Sequence, residues 1–127
     1  KAAVDVAVFD LLSKRAGKPL YEYLGGDRNR MLTDMTIGIE SKETTIQKAM
    51  KHTKSGFKAL KVKVGLDLEG DIKRIEAVRN AVGPSIELRV DANQGYSVDQ
   101  AIKFCEAMKT LEVVVVEQPV NAAGQPG

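Results

Sequence analysis

The sequence predicts an α/β fold in which short parallel strands alternate with helices. Apolar strand-like runs recur along the chain, each is followed by apolar residues at helical spacing, and the repeat length is roughly 25 to 28 residues. A chain of 127 residues can form a compact domain with a sizeable core. Repeated units of this kind give parallel sheets that are covered by helices.

Composition excludes several classes of function. Nineteen basic and seventeen acidic side chains leave a net charge of +2, and no large block of either sign points to nucleic acid or an anionic membrane surface. Apolar runs such as Val113 to Val116 are far too short to cross a bilayer. A single cysteine cannot form an internal disulfide, and no secretory signal pattern opens the sequence. We therefore expect a cytoplasmic location.

Residues 1–30 precede the repeated units and are predicted to be helical. Apolar residues at i, i+3, i+4, i+7 and i+8 indicate an amphipathic helix of about three turns. These are Val4, Ala7, Val8, Leu11 and Leu12. Gly17 is placed to end this helix, and Pro19 to begin a short helix that stops at Gly25-Gly26.

The first two units each combine a strand with an amphipathic helix. Met35 to Ile39 and Ala59 to Val64 are the predicted strands. The inward positions of the two following helices are Ile46, Ala49, Met50 and Thr53 in the first, and Ile72, Ile75, Val78 and Val82 in the second. Gly83-Pro84 is expected to close the second helix.

A third unit and a fourth strand complete the pattern. Ile86 to Val90 is the third strand, and Ser97 with Gln100 forms a candidate capping box for the next helix. The inward residues of that helix are predicted to be Ala101, Ile102, Cys105 and Met108, with Cys105 a small buried hydrophobe and not a nucleophile. Val113 to Val116 is the fourth strand, which ends at Glu117.

Four strands and three helices over residues 31–120 leave two possible closures. One is an open doubly wound sheet, and the other is part of a (βα)8 TIM barrel. No Gly-x-Gly-x-x-Gly follows the first strand, which disfavours a dinucleotide-binding fold. A complete barrel takes about 250 residues, so four units correspond to about half of one. Residues 121–127 are small and are expected to form a flexible tail.

Strand parity separates charged from apolar residues in the second strand. Side chains alternate along a strand, so the apolar residues Leu60, Val62 and Val64 share the face that packs on the helices. Lys61 and Lys63 then point to the other face. Taken alone, such a lysine pair is typical of a solvated edge strand.

The same arithmetic places acidic residues at the ends of the next two strands. Asp91 and Asn93 fall on the non-helix face of the third strand, and Glu117 follows the valines of the fourth. An isolated acid after a strand is commonly a turn former or a helix cap. Here Lys63, Asp91 and Glu117 recur at matching positions of successive repeats, 28 and 26 residues apart. Unrelated surface residues would not be expected to recur at matching positions. The recurrence therefore favours an active site at the C-terminal ends of the strands.

These residue types suit one kind of chemistry. Two carboxylates from neighbouring strand ends are hard oxygen ligands suited to Mg²⁺. A lysine can act as a base when a nearby second ammonium and a dry site lower its pKa, and each of the two lysines is expected to lower the pKa of the other. The combination suits abstraction of a proton next to a carboxylate, with the metal stabilising the charge that develops.

Three motifs carry a resemblance to a known family. The segments "KVKVG", "RVDANQGY" and "VVEQP", in this order and spacing, resemble the enolase superfamily and, within it, the muconate-lactonizing-enzyme subgroup. Dipeptide epimerases look closest, followed by muconate cycloisomerases and o-succinylbenzoate synthases. The opening "AAVDVAVFDLLSKRAGKPLYEYLGG" resembles the helices that lead from that family's capping domain into its barrel.

The resemblance implies a role for each matched residue. Lys63 matches the family's base, and Lys61 its companion, which lowers the pKa of the base and helps to hold the substrate carboxylate. Asp91 and Glu117 match two Mg²⁺ ligands, and Asn93 and Gln118 would lie beside them. Lysine bases with Mg²⁺ are established chemistry in this superfamily. The partner implied is a small carboxylate substrate, with no organic cofactor.

The family pattern also extends beyond this sequence. Its capping domain apart from the final helices, its third metal ligand and its opposing lysine have no counterpart among the 127 residues. We therefore expect this chain alone to be inactive as an isomerase and to bind Mg²⁺ weakly or not at all. Two alternatives remain: a non-catalytic half-barrel that self-associates as a homo-oligomer through exposed strand edges, and a lyase of the o-succinylbenzoate synthase type.

Overall fold

A computed structural model describes residues 1–124 of the chain, which fall into two units divided after Met31. The first unit contains helix α1 (Ala2–Arg15) and the short helix α2 (Leu20–Tyr23). Both lie where the sequence predicts them, and Pro19 directly precedes α2. Val4 and Leu11 of the predicted apolar stripe are exposed.

The second unit is a four-stranded parallel sheet with a helix after each of its first three strands. Its elements are β1 (Asp34–Ile37), α3 (Lys42–Lys54), β2 (Ala59–Lys63), α4 (Leu68–Val82), β3 (Glu87–Asp91), α5 (Val98–Thr110) and β4 (Val113–Glu117). The strand order is β1-β2-β3-β4, and every neighbouring pair is parallel. The predicted βα alternation is confirmed. Of the predicted tail, Ala122–Gly124 form one 3₁₀ turn, and residues 125–127 lie outside the described part.

Side-chain caps fix where the three long helices of this unit begin. The side chains of Ser41, Asp67 and Ser97 accept backbone N–H groups at the starts of α3, α4 and α5. The predicted capping box is confirmed, because the Gln100 side chain accepts the Ser97 N–H while Ser97 Oγ accepts the Gln100 N–H. Such caps satisfy N–H groups that have no partner within the helix. Among residues 1–124, no helix is long and apolar enough to cross a membrane.

The core lies on the helix-facing side of the sheet. Leu60, Val62, Leu88 and Val90 are fully buried, and the residues that alternate with them face away. The predicted strand parity is therefore confirmed. Because one face of the sheet is filled by apolar packing, the chemistry of the unit is confined to the other face and to the strand ends.

The predicted inward face of α5 is partly wrong. Ala101 and Met108 are buried as expected, but Ile102 is 55% exposed, and Cys105 is exposed and not a buried hydrophobe. Phe104 takes the central position and is fully buried, with its ring 4.9 Å from that of Tyr96. A large aromatic side chain buries more apolar area than its neighbours, which rotates the buried stripe of the helix toward it.

The predicted inward face of α3 needs a similar correction. The sequence pattern predicts that Met50 faces the core, but Met50 is 40% exposed, while Ala49 is fully buried as predicted. Thr45 is fully buried in its place, and its hydroxyl donates to the backbone carbonyl of Ser41 at 2.8 Å. A hydroxyl satisfied within its own helix can enter the core at little cost, which apolar periodicity alone does not reveal.

Arg79 joins the C-terminal end of α4 to the segments that lead into β3 and β4. Its guanidinium donates to the carbonyl oxygens of Gly83 and Ile86 at 2.8 and 2.7 Å, and to those of Leu111 and Glu112 at 3.0 and 3.1 Å. Burial lowers the pKa of Arg79, against the smaller opposing effect of Glu112. One side chain therefore satisfies four carbonyls at the entry to two strands.

Replacing Arg79 with methionine is expected to lower the free energy of unfolding by about 2 kcal/mol, because the carbonyls lose charged donors while the aliphatic packing is retained. Urea denaturation measures this. Lys73→Met, on the exposed side of the same helix, is the matched control and should change stability by less than about 0.5 kcal/mol. Equal effects of the two substitutions would show that the four bonds do not stabilise the fold.

Candidate active site

The strand register brings the predicted site residues to one edge of the sheet. Lys63 pairs with Asp91 across β2 and β3, and Asp91 pairs with Glu117 across β3 and β4. A register shift between Leu88 and Arg89 leaves Val114 without a partner on β3, and this shift sets Glu117, and not Val116, opposite Asp91. The carboxyl ends of parallel strands meet at the same edge, so three successive repeats deliver a lysine and two acids side by side.

The four predicted catalytic and metal-binding residues form one network of ion pairs. Lys63 Nζ lies 2.6 Å from Asp91 Oδ2, and Lys61 Nζ lies 3.4 Å from the same oxygen. Lys61 Nζ also contacts Glu117 Oε2 at 2.5 Å. The Asp91 side chain is 3% exposed, whereas that of Glu117 is 51% exposed. Asp91 is thus the buried centre of the network, and Glu117 is its solvent-facing side.

Opposing effects act on the pKa of Asp91. Burial raises the pKa, but hydrogen bonds from Lys63, the Asn93 backbone and Lys61 together outweigh burial and hold the pKa below its ordinary value. The carboxyl is therefore ionised at neutral pH, as a metal ligand has to be.

The expectation that the two lysines lower each other's pKa is wrong for Lys61. The hydrogen bond to Glu117 raises the pKa of Lys61, burial opposes this, and Asp91 adds to the increase. The Lys61 ammonium has two carboxylates as close neighbours, so opposite charge outweighs like charge at this lysine. Lys61 is thereby kept as a cation.

Asn93 lies at the site, as the sequence predicts. Its side-chain oxygen accepts a hydrogen bond from Lys63 Nζ at 2.8 Å, and its backbone N–H donates to Asp91 Oδ1 at 3.0 Å.

Gln118 directly follows Glu117, and its backbone carbonyl accepts the N–H of Gln94 at 2.8 Å. Asn93, Gln94 and Gln118 all have positive φ angles, of 45°, 68° and 40°. Non-glycine residues in that conformation are uncommon and cluster at functional sites.

The donor set at this edge fits Mg²⁺. Two adjacent carboxylates, Asp91 and Glu117, with an amide oxygen from Asn93 nearby, are hard oxygen ligands, and Mg²⁺ characteristically combines one or two carboxylates with water and substrate oxygens. Within residues 1–124, no cluster of three or more His, Cys, Asp or Glu side chains could hold a metal ion. The two carboxylates are therefore a pair, whose charge the lysines balance here.

A buried polar cluster behind the site was not predicted from the sequence. Asp71 and Arg74 of α4 are 2% and 8% exposed, and Tyr96 is 5% exposed. A signal for the two α4 residues was present, because they lie on the same helical stripe as the core residues Ile75 and Val78. Charged residues on an apolar stripe are rarely buried unless they are paired.

Comparison with known proteins identifies the family. Residues 44–126 match the family described as enolase C-terminal domain-like. The chain belongs to this family. The match spans α3 to β4 and therefore includes Lys61, Lys63, Asp91 and Glu117.

Relatives within the enolase superfamily include dipeptide epimerases. The chain is 46% identical over 121 residues to the hydrophobic dipeptide epimerase of Enterococcus faecalis. This alignment covers 95% of this chain and 34% of the relative. It is 44% identical over 124 residues to the L-Ala-D/L-Glu epimerase of Clostridium acetobutylicum, at 96% and 35% coverage. The chain spans about a third of the length of these relatives. The predicted superfamily and the likeness to dipeptide epimerases are confirmed.

Solved structures of the same superfamily share the fold. The dipeptide epimerase of Enterococcus faecalis complexed with Mg and L-Leu-L-Tyr superimposes with a TM-score of 0.89 at 43% identity, covering 96% of this chain and 34% of that structure. Because these relatives are barrel proteins, the four-stranded sheet corresponds to part of a barrel, as predicted.

Proposed function

We propose that this chain supplies the lysine-base side of the active site in a Mg²⁺-dependent dipeptide epimerase. The observation that carries the proposal is the network in which Lys63 and Lys61 converge on Asp91 and Glu117 at the C-terminal rim of the sheet. The 46% identity to a dipeptide epimerase supports the choice of substrate class. Asp91 and Glu117 would hold Mg²⁺, whose positive charge would stabilise negative charge on the substrate carboxylate.

Lys63 is the proposed base. A lysine accepts a proton only as the neutral amine, so the ion pair between Lys63 and Asp91 has to open before Lys63 can act. The α-proton of the dipeptide then moves to Lys63 Nζ, and the electron pair of the C–H bond moves toward the carboxylate. Asn93 Oδ1, at 2.8 Å from Nζ, orients the amine during the transfer.

Lys61 has a different proposed role. We assign its ammonium, which lies 2.5 Å from Glu117 and 3.4 Å from Asp91, to binding of the substrate carboxylate and not to removal of a proton. Both lysines lie on β2, so the same strand provides the base and its cationic partner. Proton transfer from one side of the substrate predicts exchange of the α-proton with solvent, with no inversion of configuration.

A second proposal concerns assembly. Within the part of the chain that the structure describes, β1 and β4 each pair with one strand only, and Val114 and Val115 on β4 are 59% and 44% exposed. Open edges with apolar side chains favour pairing with another copy of the chain. Homo-oligomerisation, a cytoplasmic location and the lyase alternative stay predictions.

The proposed function is tested by proton exchange in D₂O. The 127-residue chain is incubated with L-Ala-L-Glu and increasing Mg²⁺, and loss of the α-proton signals is followed by ¹H NMR. We expect exchange that depends on Mg²⁺, stops when the metal is chelated and leaves the configuration unchanged. Glu117→Gln should require more Mg²⁺ for the same rate, because the substitution removes a charged ligand.

Calorimetry with Mg²⁺ alone provides an independent measurement, and Glu76→Gln on the exposed side of α4 is the matched control. Exchange no faster than in buffer, together with undetectable Mg²⁺ binding, would overturn the proposed function for this chain. Equal Mg²⁺ requirements for Glu117→Gln and Glu76→Gln would overturn the assignment of Glu117 as a ligand.

A further inference from the structure

A single buried carboxylate organises the loop that follows β2. Asp71 lies in the first turn of α4 and is 2% exposed. Its Oδ2 accepts the backbone N–H groups of Gly65, Leu66 and Asp67 at 2.8, 3.2 and 3.3 Å. These residues begin two positions after Lys63, so one side chain determines the course of the chain as it leaves the proposed base.

Arg74 connects the same carboxylate to Lys63. Its Nη2 donates to Asp71 Oδ1 at 2.6 Å and to the backbone carbonyl of Lys63 at 2.8 Å. The guanidinium is planar, so two partners on one nitrogen set the orientation of the C-terminal end of β2. The Arg74 side chain is 9% exposed, and its Nε is buried with no hydrogen-bond partner. Asp71 is its counter-charge, so loss of Asp71 would leave a buried cation unpaired.

Tyr96 connects the carboxylate to the loop that follows β3. Its hydroxyl donates to Asp71 Oδ2 at 2.7 Å, and its backbone N–H donates to the Pro119 carbonyl at 3.0 Å. Burial and then the hydrogen bond to Asp71 raise the pKa of Tyr96, so the phenol stays protonated and remains a donor. The Val64 N–H donates to the Asp91 carbonyl at 2.9 Å, which joins the start of the loop after β2 to the end of β3. The segments after β2, β3 and β4 are thus bound into one unit.

We propose that Asp71, supported by Arg74 and Tyr96, is a positioning residue that sets the geometry between Lys63 and Asp91. It acts through the backbone of the loops after β2 and β3 and has no part in proton transfer. The inference rests on the proposed function, because positioning matters for catalysis only if Lys63 is the base. The carboxylate receives five donors, four on Oδ2 (three backbone N–H groups and the Tyr96 phenol) and the Arg74 guanidinium on Oδ1, which suits a fixed support.

Two conservative substitutions test the inference. Tyr96→Phe removes one hydroxyl and preserves the ring against Phe104, and Asp71→Asn preserves the shape of the side chain but removes its charge. Tyr23→Phe, at a tyrosine that is 38% exposed, is the control for the hydroxyl, and Arg79→Lys is the control for loss of stability away from the site.

The readouts are the ¹⁵N NMR signal of Lys63 Nζ and the hydrogen exchange of the Gly65, Leu66 and Asp67 amides.

We expect Tyr96→Phe and Asp71→Asn to move the Lys63 Nζ signal toward that of a solvated lysine, because its contact with Asp91 loosens. Protection of the amides of residues 65–67 against hydrogen exchange should fall about threefold to tenfold. This is the change that the loss of one hydrogen bond of about 1 kcal/mol would cause. In the α-proton exchange assay, kcat should fall while KM changes little. Arg79→Lys should lower the melting temperature and leave the Lys63 signal in place.

The inference is overturned if Tyr96→Phe and Asp71→Asn lower stability but do not shift the Lys63 Nζ signal, which is the result expected for the control Arg79→Lys. Should Asp71→Asn fail to fold, Tyr96→Phe alone decides, since it changes a single hydroxyl. Absence of α-proton exchange in the unsubstituted chain, together with undetectable Mg²⁺ binding, would overturn the proposed function. The two NMR readouts would then still decide whether Asp71 positions Lys63.

Discussion

Lys63→Met is expected to abolish Mg²⁺-dependent exchange of the α-proton of L-Ala-L-Glu. Methionine keeps an unbranched side chain in place of the aliphatic part of lysine but has no nitrogen to receive the proton. Removal of a general base typically costs about 10² to 10⁴ in rate, which would bring exchange down to the rate in buffer. The NMR assay in D₂O measures this directly.

Two further variants test whether loss of the Lys63 amine is the reason that exchange stops. Lys58→Met changes an exposed lysine directly before β2 and should exchange at the normal rate. Lys63→Ala with added methylamine should recover part of the lost rate, because a small amine can enter the space left by the side chain. Circular dichroism is the check that each variant is folded. Exchange by folded Lys63→Met at the normal rate would show that Lys63 is not the base.

Lys61→Met separates the two lysines. The residue contacts both Asp91 and Glu117, and its pKa is raised, mainly by the hydrogen bond to Glu117. Its loss should weaken binding of the dipeptide carboxylate and raise KM, while Lys63 still transfers the proton. A larger loss of kcat in Lys61→Met than in Lys63→Met would reverse the two assignments.

Strand parity and register could be predicted from the sequence because both follow from periodicity. Side chains alternate along a strand, so Leu60 and Val62 identify the core face and Lys61 and Lys63 the opposite face. Parallel repeats of similar length place corresponding residues side by side, which is why Lys63, Asp91 and Glu117 meet as predicted. The family motifs fall on the same residues, so the strand periodicity and the family resemblance predict the same site.

The charge state of the site could not be predicted in the same way. Sequence spacing places Lys61 and Lys63 on one face but does not give the distances to the carboxylates opposite. Contacts of 2.5 Å to Glu117 and 3.4 Å to Asp91 decide that opposite charge dominates at Lys61. A pKa depends on differences of about an ångström in position, and residue spacing cannot resolve them.

Asp71 illustrates a different limit. An acid in the first turn of a helix is ordinarily explained by the helix dipole or by capping. Here Asp67 is the N-cap of α4, and Glu69 precedes Asp71 in the first turn. The feature that distinguishes Asp71 is its helical phase with Ile75 and Val78, which directs it inward. Its partners Gly65 and Tyr96 come from two loops, and local sequence does not show that such loops meet.

The contact between Gly65 and Gly95 predicts the largest loss of stability. A Cβ atom on Gly95 would lie 2.0 Å from the Gly65 carbonyl oxygen, and a Cβ on Gly65 would lie 2.3 Å from the Ala92 carbonyl oxygen. Real Cβ atoms do not approach other atoms so closely, so the loops after β2 and β3 would have to separate. Gly65 also has a φ of +106°, which strains any other residue.

Three alanine substitutions separate the collision from the backbone strain. Gly83→Ala places a residue at φ +75° with nothing within 4 Å of its Cβ, so it measures strain alone, expected at about 1 kcal/mol. Gly95→Ala measures the collision, expected at about 2–3 kcal/mol, and Gly65→Ala combines both effects at about 3–5 kcal/mol. Urea denaturation should therefore rank the losses as Gly65, then Gly95, then Gly83.

The same substitutions connect stability to the site, since the two loops carry the chain away from Lys63 and Asp91. If the close approach of the loops maintains the contact between these residues, Gly95→Ala should weaken Mg²⁺ binding even at temperatures where the chain remains folded. Gly83→Ala, at the opposite end of α4 from these loops, should leave binding unchanged. A Gly95→Ala variant as stable as Gly83→Ala, with normal Mg²⁺ binding, would mean that the loops tolerate separation. The geometry of the base and the carboxylate would then have to depend on the strands alone.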